Sequence, residues 1–315
     1  MSAKPDLIST AKLPDTCWAR LEERFQIHML PAAGPERAAF LARLGTSVRF
    51  LQTSGGGSVP AALIEALPKL EIISSYGVGY DGVDVAAATA RGIVVTNTPG
   101  VLNDCVADTA MGLMLGAMRR LPQADQHVRT GAWPKGGQAL TVAVHHKKLG
   151  ILGYGRIGKT IAKRAAGFDM EIAYHSRTKQ ADVALRYFDT LVDLAAWCDV
   201  LVVITPGGAA TRHLVDADVL KALGPHGYLV NVARGSVVDE AALLAALQDG
   251  TIAGAGLDVF ADEPHVPTAF FSLANVVLAP HVGSATVETR KAMGDLAVDN
   301  LLAHLEGRPK LTPVN

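Results

Sequence analysis

Short apolar runs alternate with stretches of helical spacing throughout the first third of the chain. Four such runs predict β-strands, at residues 25–30, 48–53, 70–75 and 92–97. Between them, apolar residues recur at helical spacing in Pro35–Leu44 and Pro60–Leu67. Because strands that alternate with helices form parallel sheets covered by helices, this part of the chain predicts an α/β domain.

A second series of the same kind begins at Leu149. Its predicted strands are residues 149–152, 170–174, 200–205, 228–232, 255–259 and 276–279, and its predicted helices include residues 216–222 and 240–248. The predicted fold class is therefore α/β, with two doubly wound parallel-sheet domains in series.

Two longer helices are predicted at the ends of the second series. Cys105–Leu121 is apolar nearly all round, which is typical of a helix buried on more than one side and favours a homodimer contact there. The other, Val287–Leu305, follows the last strand. If it packs back on the first unit, one domain comprises residues 1–99 with 286–315, and the other comprises residues 100–285.

The sequence GYGRIG at residues 153–158 lies between the first strand of the second series and a helical stretch. Gly153 permits a tight turn, Gly155 lets the backbone approach a pyrophosphate, and Gly158 lets the helix pack closely on the strand. The free N–H groups of the helix N-terminus favour an anion. A strand, this turn, a helix and a second strand within about thirty residues therefore predict a dinucleotide site.

The residues after the next strand indicate which dinucleotide is bound. An NAD site normally has Asp or Glu there to accept hydrogen bonds from the ribose, but this chain has His175, Ser176, Arg177 and Thr178. A guanidinium binds a 2′-phosphate, and two hydroxyls can donate to it. NADPH is therefore the expected cofactor, and NADH is the alternative if Arg177 is an ordinary surface arginine.

Three charged residues follow later strands of the second series: Arg234, Glu263 and His281. Reduction of a 2-keto acid needs these three groups. The guanidinium binds the carboxylate and polarises the carbonyl, the imidazolium donates a proton, and the carboxylate orients the imidazole and favours its charged form. Reduction is therefore expected to fade in alkali.

Four segments together are similar to the D-isomer-specific 2-hydroxyacid dehydrogenases over nearly the whole chain. They are SYGVGYDGVD at 75–84, the glycine turn, VNVARG at 230–235 and PHVGSAT at 280–286. Within the family, Ser176–Thr178 and TSGGG at 53–57 most resemble the NADPH-preferring glyoxylate/hydroxypyruvate reductases. The resemblance implies a flavodoxin-like substrate domain beside a Rossmann-like dinucleotide-binding domain, and small 2-keto acids as substrates.

The resemblance also implies roles for individual residues. The family's catalytic triplet falls on Arg234, Glu263 and His281, with Arg234, His281 and the backbone of Val78 and Gly79 binding substrate. The implied cofactor-binding residues are Gly153, Gly155, Arg156, Ile157, Gly158, Ser176, Arg177, Thr178, Thr205, Pro206, Val232, Ala233, Asp258 and Gly283. Trp133 either packs at a subunit contact or reaches a neighbouring active site, as a tryptophan nearby does in some relatives.

Composition excludes several classes of partner. The chain is 49% hydrophobic and 19% charged, with a formal net charge of −1 and no basic block, so neither nucleic acid nor an anionic membrane is an expected partner. No apolar run is long enough to span a bilayer. The three cysteines have no metal-binding spacing, which favours a cytoplasmic protein without a metal site.

Three other functions remain open on this sequence. The first is reduction of a different 2-keto acid, sugar-derived or aromatic. The second is another NAD-linked oxidation, such as that of formate or phosphonate. The third alternative is a non-catalytic NAD(P)-sensing scaffold, since fold alone does not fix function.

Overall fold

The structure is a computed structural model, and it describes residues 3–315. The chain forms two compact units, one containing residues up to Leu102 together with Thr286–Asn315, the other Asn103–Ala285. The sequence placed the first boundary at 99/100. It lies at 102/103 because helix α5 (Asn103–Arg119) begins there and packs within the second unit.

The first unit is a five-stranded parallel sheet with helices on both faces. The strand order is β2-β1-β3-β4-β5, the flavodoxin-like order that the resemblance implied. The strands are β1 (Asp6–Ser9), β2 (Gln26–Met29), β3 (Phe50–Ser54), β4 (Ile72–Tyr76) and β5 (Val94–Thr96). The helices are α1 (Asp15–Arg24), α2 (Pro35–Leu44), α3 (Ala61–Glu65), α4 (Val85–Ala90) and, at the end of the chain, α11 (Val287–Leu305).

Alternation along the central strands divides the core of this unit in two. Leu7, Phe50 and Ile72 pack with α1 and α11 on one face. Their chain neighbours Ile8 and Leu51 point to the other face, into a cluster with apolar residues of α3 and α4. The chain therefore returns to its first unit through α11, which contacts β4 and α1.

The second unit is a seven-stranded parallel sheet of order β12-β11-β10-β9-β6-β7-β8, which is the Rossmann order with one added strand. The strands are β6 (Lys148–Leu152), β7 (Glu171–His175), β8 (Arg186–Tyr187), β9 (Val200–Val203), β10 (Tyr228–Asn231), β11 (Gly254–Leu257) and β12 (Val276–Leu278). Besides α5, its helices are α6 (Leu121–Arg129), α7 (Arg156–Ala166), α8 (Leu191–Trp197), α9 (Ala217–Leu223) and α10 (Glu240–Gln248). The sequence predicted six strands; β8, of two residues, was too short to be predicted.

Helix α5 is largely buried within its own unit. Nine of its residues are buried, and it packs against α7, β10 and β11. Arg120 adopts a left-handed conformation with φ 51° and separates α5 from α6, where the sequence predicted one helix through Leu121. Beyond α5, the large apolar side chains of Leu121, Val128, Trp133 and Leu140 are exposed.

Within residues 3–315, no helix is long and apolar enough to cross a membrane.

Candidate active site

The glycine turn joins β6 to α7, as the sequence predicts. Gly153 has φ 99°, which favours glycine, and a Cβ there would lie 2.8 Å from the Ile204 carbonyl oxygen. A Cβ on Gly158 would overlap the Gly153 carbonyl. Gly155 and Arg156 are exposed, and Ile157 is half-buried. Gly153 and Gly158 therefore have the close backbone packing that the sequence predicts, whereas a Cβ on Gly155 would meet no atom within 4 Å.

The N-terminus of α7 is free to bind an anion. No side chain of the described residues caps α7, whereas Thr190, Asp216 and Asp239 cap the next three helices with side-chain oxygens. The uncapped N–H groups of a helix of 11 residues carry a partial positive charge. These groups fit the pyrophosphate of a dinucleotide.

Two carboxylates hold α7 against α5. The Arg164 Nε donates to Asp108 Oδ1 at 2.5 Å, and its Nη2 donates to Asp104 Oδ1 at 3.0 Å. Arg164 on α7 therefore binds carboxylates at two positions of α5 that are about one turn apart.

The segment after β7 is linked by hydrogen bonds to the glycine turn and to β7 itself. Gln180 donates from Nε2 to the Tyr154 carbonyl at 2.5 Å and from its backbone N–H to Tyr174 Oη at 3.0 Å. Ser176 Oγ donates to the Thr178 carbonyl at 2.9 Å, so this hydroxyl must release that contact before it donates to a phosphate. Arg177 is exposed and, among residues 3–315, forms no ion pair. Its guanidinium is therefore available to a ligand.

Arg234 follows β10 and is half-buried. Asn231 fixes this turn, since its Nδ2 donates to the Arg234 carbonyl at 3.0 Å and its Oδ1 accepts from the Ala233 N–H at 3.1 Å. Gly235 packs so closely on the peptide between Phe260 and Ala261 that a Cβ would overlap it. This packing brings the turn that carries Arg234 against the segment that leads to Glu263, a role for Gly235 that sequence reasoning missed.

Glu263 and His281 form a hydrogen-bonded pair. The His281 Nδ1 lies 2.6 Å from Glu263 Oε2, and the other carboxylate oxygen accepts from the Phe260 N–H at 3.0 Å. An ionised carboxylate only accepts hydrogen bonds, so Nδ1 is the protonated nitrogen. The Nε2 atom of His281 is then the one left for proton exchange with a ligand.

Asp258 holds the backbone of the His281 segment. Its carbonyl accepts from the His281 N–H at 2.8 Å, while Oδ1 and Oδ2 accept from the N–H groups of Val282 at 2.7 Å and Gly283 at 2.8 Å. His281 itself has φ 53°, a left-handed conformation that is costly for a residue with a side chain. Three hydrogen bonds from one buried residue stabilise that conformation, a role that the sequence does not reveal.

The pKa values of Asp258 and Glu263 are shifted in opposite directions. Burial raises the pKa of Asp258, and the two N–H groups it accepts from only partly offset this. Burial also favours a raised pKa for Glu263. The hydrogen bonds from His281 and Phe260 and the nearby positive charges of His281 and Arg234 outweigh burial, so the pKa of Glu263 lies below its ordinary value. Glu263 is therefore ionised at neutral pH.

The remaining expected site residues follow strand ends. Thr205 and Pro206 come after β9, and Val232 and Ala233 are buried directly after β10. Val78 and Gly79, both half-buried, follow β4 in the first unit. In a parallel sheet the carboxyl ends of all strands lie on one edge, which is where ligands bind in doubly wound folds.

Comparisons with known proteins agree with this architecture. Residues 111–283 match the model of the D-isomer specific 2-hydroxyacid dehydrogenase, NAD binding domain. The chain is 49% identical over 294 residues to glyoxylate/hydroxypyruvate reductase A of Arabidopsis thaliana, covering 93% of this chain and 94% of the relative. It is 45% identical over 314 residues to 2-ketogluconate reductase of Gluconobacter oxydans, covering 100% of both.

A solved structure is similar over the same range. It is an NADPH-dependent glyoxylate/hydroxypyruvate reductase from Sinorhizobium meliloti in complex with NADP and malonate, 49% identical, with a TM-score of 0.94 over 99% of this chain and 97% of that one. The fold, the glycine turn and these likenesses define a dehydrogenase of the NAD(P)-binding class. The chain belongs to the D-isomer-specific 2-hydroxyacid dehydrogenase family, as its sequence motifs predict.

Proposed function

We propose that this enzyme reduces small 2-keto acids, glyoxylate and hydroxypyruvate, to 2-hydroxy acids with NADPH. The observation that carries the proposal is the contact of 2.6 Å between His281 Nδ1 and Glu263 Oε2, made within a family of 2-hydroxyacid dehydrogenases. The pairing keeps a proton on Nδ1 and leaves Nε2 to serve as the acid. The relatives from Arabidopsis and Sinorhizobium carry the same activity in their names.

The three charged groups have different roles in this reaction. Arg234 binds the substrate carboxylate and polarises the keto group; His281 donates a proton to the carbonyl oxygen as that oxygen becomes negative. Glu263 keeps the imidazole oriented and favours its charged form. We assign Val78 and Gly79 to the substrate carboxylate through their backbone N–H groups. A bound NADPH supplies the hydride.

The cofactor assignment rests on residues of the second unit. The uncapped start of α7, with Gly153, Gly155, Arg156, Ile157 and Gly158, receives the pyrophosphate. The 2′-phosphate binds beside Arg177, with Ser176 and Thr178. The remaining contacts follow the family resemblance: Thr205, Pro206, Val232, Ala233, Asp258 and Gly283. Asp258 uses one lone pair of each carboxylate oxygen on backbone N–H groups, so each oxygen keeps another for a cofactor amide.

A panel of 2-keto acids assayed with NADPH and with NADH tests the proposal. We expect the largest kcat/KM for glyoxylate and hydroxypyruvate with NADPH. Turnover only with 2-ketogluconate or an aromatic keto acid would replace the substrate assignment. Absence of turnover with every keto acid, despite NADPH binding, would favour a cofactor-sensing scaffold.

A sugar-derived substrate is the second candidate. The relative from Gluconobacter, aligned over 100% of both chains, is a 2-ketogluconate reductase. The same Arg234, Glu263 and His281 chemistry serves any 2-keto acid, because it acts on the carboxylate and carbonyl that all of them share. The ratio of kcat/KM for 2-ketogluconate to that for glyoxylate decides between the two candidates.

We propose that the protein is a cytoplasmic homodimer. Helix α6 has no buried residue, and residues 131–140 are exposed except for a half-buried Ala132. Leu121, Val128, Trp133 and Leu140 are 52%, 56%, 65% and 101% exposed, an apolar surface that a second copy would cover. All three cysteines are free thiols, as expected in the cytoplasm.

Light scattering tests the dimer. Val128→Glu and Leu140→Glu introduce charges into this surface and are expected to give monomers. Val192→Glu, at an exposed position of α8 that is 44% accessible, is the matched control and should leave the mass unchanged. A monomeric mass for the unaltered protein would reject the proposal.

If Trp133 reaches a neighbouring active site, Trp133→Ala lowers kcat/KM while the mass stays dimeric.

A further inference from the structure

Two carbonyl groups of the loop after β4 are anchored by residues that follow β5. The Thr98 N–H donates to the Gly77 carbonyl at 2.9 Å, and Asn97 Nδ2 donates to the Val78 carbonyl at 2.8 Å. Asn97 and Thr98 are 9% and 0% exposed. Because both donors are buried and fixed, the two carbonyls point towards them and are held there.

These anchors set the direction of the N–H groups of Val78 and Gly79. A peptide unit is planar and trans, so its N–H points opposite to its C=O. The Gly77 carbonyl shares a peptide unit with the Val78 N–H, and the Val78 carbonyl shares one with the Gly79 N–H. Both N–H groups therefore point away from Asn97 and Thr98. Within residues 3–315, neither of them donates to a backbone carbonyl.

The C-terminal segment, residues 311–315, holds Asn97 in turn. Thr312 Oγ1 donates to the Asn97 carbonyl at 2.6 Å, and the Asn97 N–H donates to the Thr312 carbonyl at 3.3 Å. The same hydroxyl accepts from Asn300 Nδ2 at 2.8 Å, and Asn300 is fully buried in α11. A chain of hydrogen bonds thus runs from Asn300 through Thr312 and Asn97 to the Val78 carbonyl.

The last residues of the chain are fixed along β5. The Val314 N–H donates to the Val95 carbonyl at 2.9 Å, and the Val95 N–H donates to Asn315 Oδ1 at 2.8 Å. Asn315 Nδ2 also donates to the Ile93 carbonyl at 3.0 Å. The C-terminal segment therefore lies along this edge strand as an added layer of hydrogen bonds.

We propose that Asn97 is a positioning residue for the substrate carboxylate, and that the C-terminal segment holds it in place. Asn97 fixes the Gly79 N–H through the Val78 carbonyl, and the hydrogen bond to that carbonyl polarises the amide and strengthens its N–H as a donor. This inference rests on the proposed function, in which the Val78 and Gly79 N–H groups bind the carboxylate of a 2-keto acid.

Asn97→Ala tests the inference by removing the donor to the Val78 carbonyl. We expect the KM for glyoxylate and the inhibition constant of malonate, used as an unreactive carboxylate probe, to rise about tenfold, the effect of losing one hydrogen bond to a charged ligand. The KM for NADPH should stay unchanged. Thr312→Val keeps the shape of the side chain but removes the hydroxyl that donates to the Asn97 carbonyl, while the backbone hydrogen bond between the two residues remains. It should raise both carboxylate constants about threefold, since the Asn97 donor itself also remains.

Asn275→Ala is the matched control. Asn275 also donates from Nδ2 to backbone carbonyls, those of Leu247 at 3.1 Å and Ala253 at 3.4 Å, but it belongs to the second unit and has no hydrogen bond with the loop after β4 among the described residues. We expect it to lower the Tm as Asn97→Ala does, with no change in the KM for glyoxylate. If the KM for glyoxylate and the inhibition constant of malonate rise in the Asn97 and Thr312 variants but not in Asn275→Ala, the effect comes from positioning of the carboxylate site and not from a loss of stability.

Two results would overturn the inference while leaving the proposed function intact. One is a wild-type enzyme that turns over glyoxylate with NADPH, together with an Asn97→Ala variant whose KM for glyoxylate and malonate inhibition are unchanged. The other is equal change in the KM values for NADPH and glyoxylate. If Asn97→Ala does not fold, Thr312→Val decides by the same readouts. Failure of the wild type to reduce any 2-keto acid would instead refute the proposed function.

Discussion

Two loops of the second unit, 281–283 and 176–178, both follow strands but are held very differently. Asp258, 2% exposed, accepts hydrogen bonds from three successive N–H groups of the first loop, and Glu263 holds the His281 ring. In the second loop, Arg177 is exposed and, among the described residues, free of ion pairs. Proton transfer needs atoms placed within a fraction of an ångström, whereas selection of a phosphate needs a charge within reach.

This contrast predicts different tolerances to substitution. Changes in the first loop should act on the chemical step and should be large even when the new side chain is similar in size. Changes in the second loop should act on the choice of cofactor and leave chemistry with the other cofactor intact.

His281→Gln is expected to have the largest effect. Without an acid at this position, kcat for reduction should fall by about two to four orders of magnitude, the usual contribution of general acid catalysis. NADPH binding, followed by the change in its fluorescence, should be unchanged because the imidazole serves the proton transfer. A parallel loss of NADPH affinity would make His281 a structural residue.

Arg234→Lys comes next. Lysine keeps the charge but cannot form the two parallel bonds with which a guanidinium orients a carboxylate. We expect kcat/KM for glyoxylate to fall about ten- to a hundredfold, since hydrogen bonds to charged groups contribute about 1.5–3 kcal/mol and about 1.4 kcal/mol corresponds to tenfold. Near-native kinetics would remove Arg234 from the substrate site.

Arg177→Ser tests the second loop. One charge-assisted interaction with a 2′-phosphate predicts a native preference for NADPH over NADH of roughly ten- to a hundredfold in kcat/KM. The variant should lose most of this preference through a higher KM for NADPH, with NADH kinetics nearly unchanged. Lys179→Ser, two residues along the same exposed segment, is the control for a general loss of positive charge. Equal native efficiency with both cofactors would contradict the assignment of Arg177.

Most of the fold was predictable because its strands are apolar and its turns carry glycine or proline. The elements that sequence reasoning missed are short or polar, such as β1, with the sequence DLIS, and the two-residue strand β8. Such segments become strands only because a neighbouring strand supplies hydrogen-bond partners, which is tertiary information. Helix α5 was predicted, but the sequence could not say that its apolar surface is covered mainly within its own unit.

The residues of the candidate site also fall into two groups, those with a local sequence signal and those without one. Gly153, Arg177 and His281 carry local signals, namely a glycine spacing, a missing carboxylate and a position after a strand. The supporting contacts of Gly235 and Asn97 carry none, because they join segments far apart in the chain. Sequence reasoning therefore finds candidate residues that have a local signal and misses contacts between segments far apart in the chain.

Glu263→Gln should have the smallest effect, and it probes how far the support of His281 is electrostatic. Glutamine keeps the shape and an acceptor for the His281 Nδ1–H but has no charge, so the hydrogen bond to the imidazole becomes a neutral one. We expect kcat/KM for glyoxylate reduction to fall about tenfold, the difference between a charge-assisted and a neutral hydrogen bond. An unchanged kcat/KM would mean that Glu263 acts through shape alone.

Stability gives an independent readout of the same pair. Because the pKa of Glu263 is lowered in the folded protein, its contribution is fully present above its unfolded pKa and is lost as pH falls through the lowered folded value. The Tm of the unaltered protein should therefore fall more steeply than that of Glu263→Gln between about pH 5 and pH 3, since glutamine does not titrate. Parallel Tm profiles, with kcat/KM of Glu263→Gln still lowered, would assign the charge of Glu263 to the proton transfer and none of it to folding.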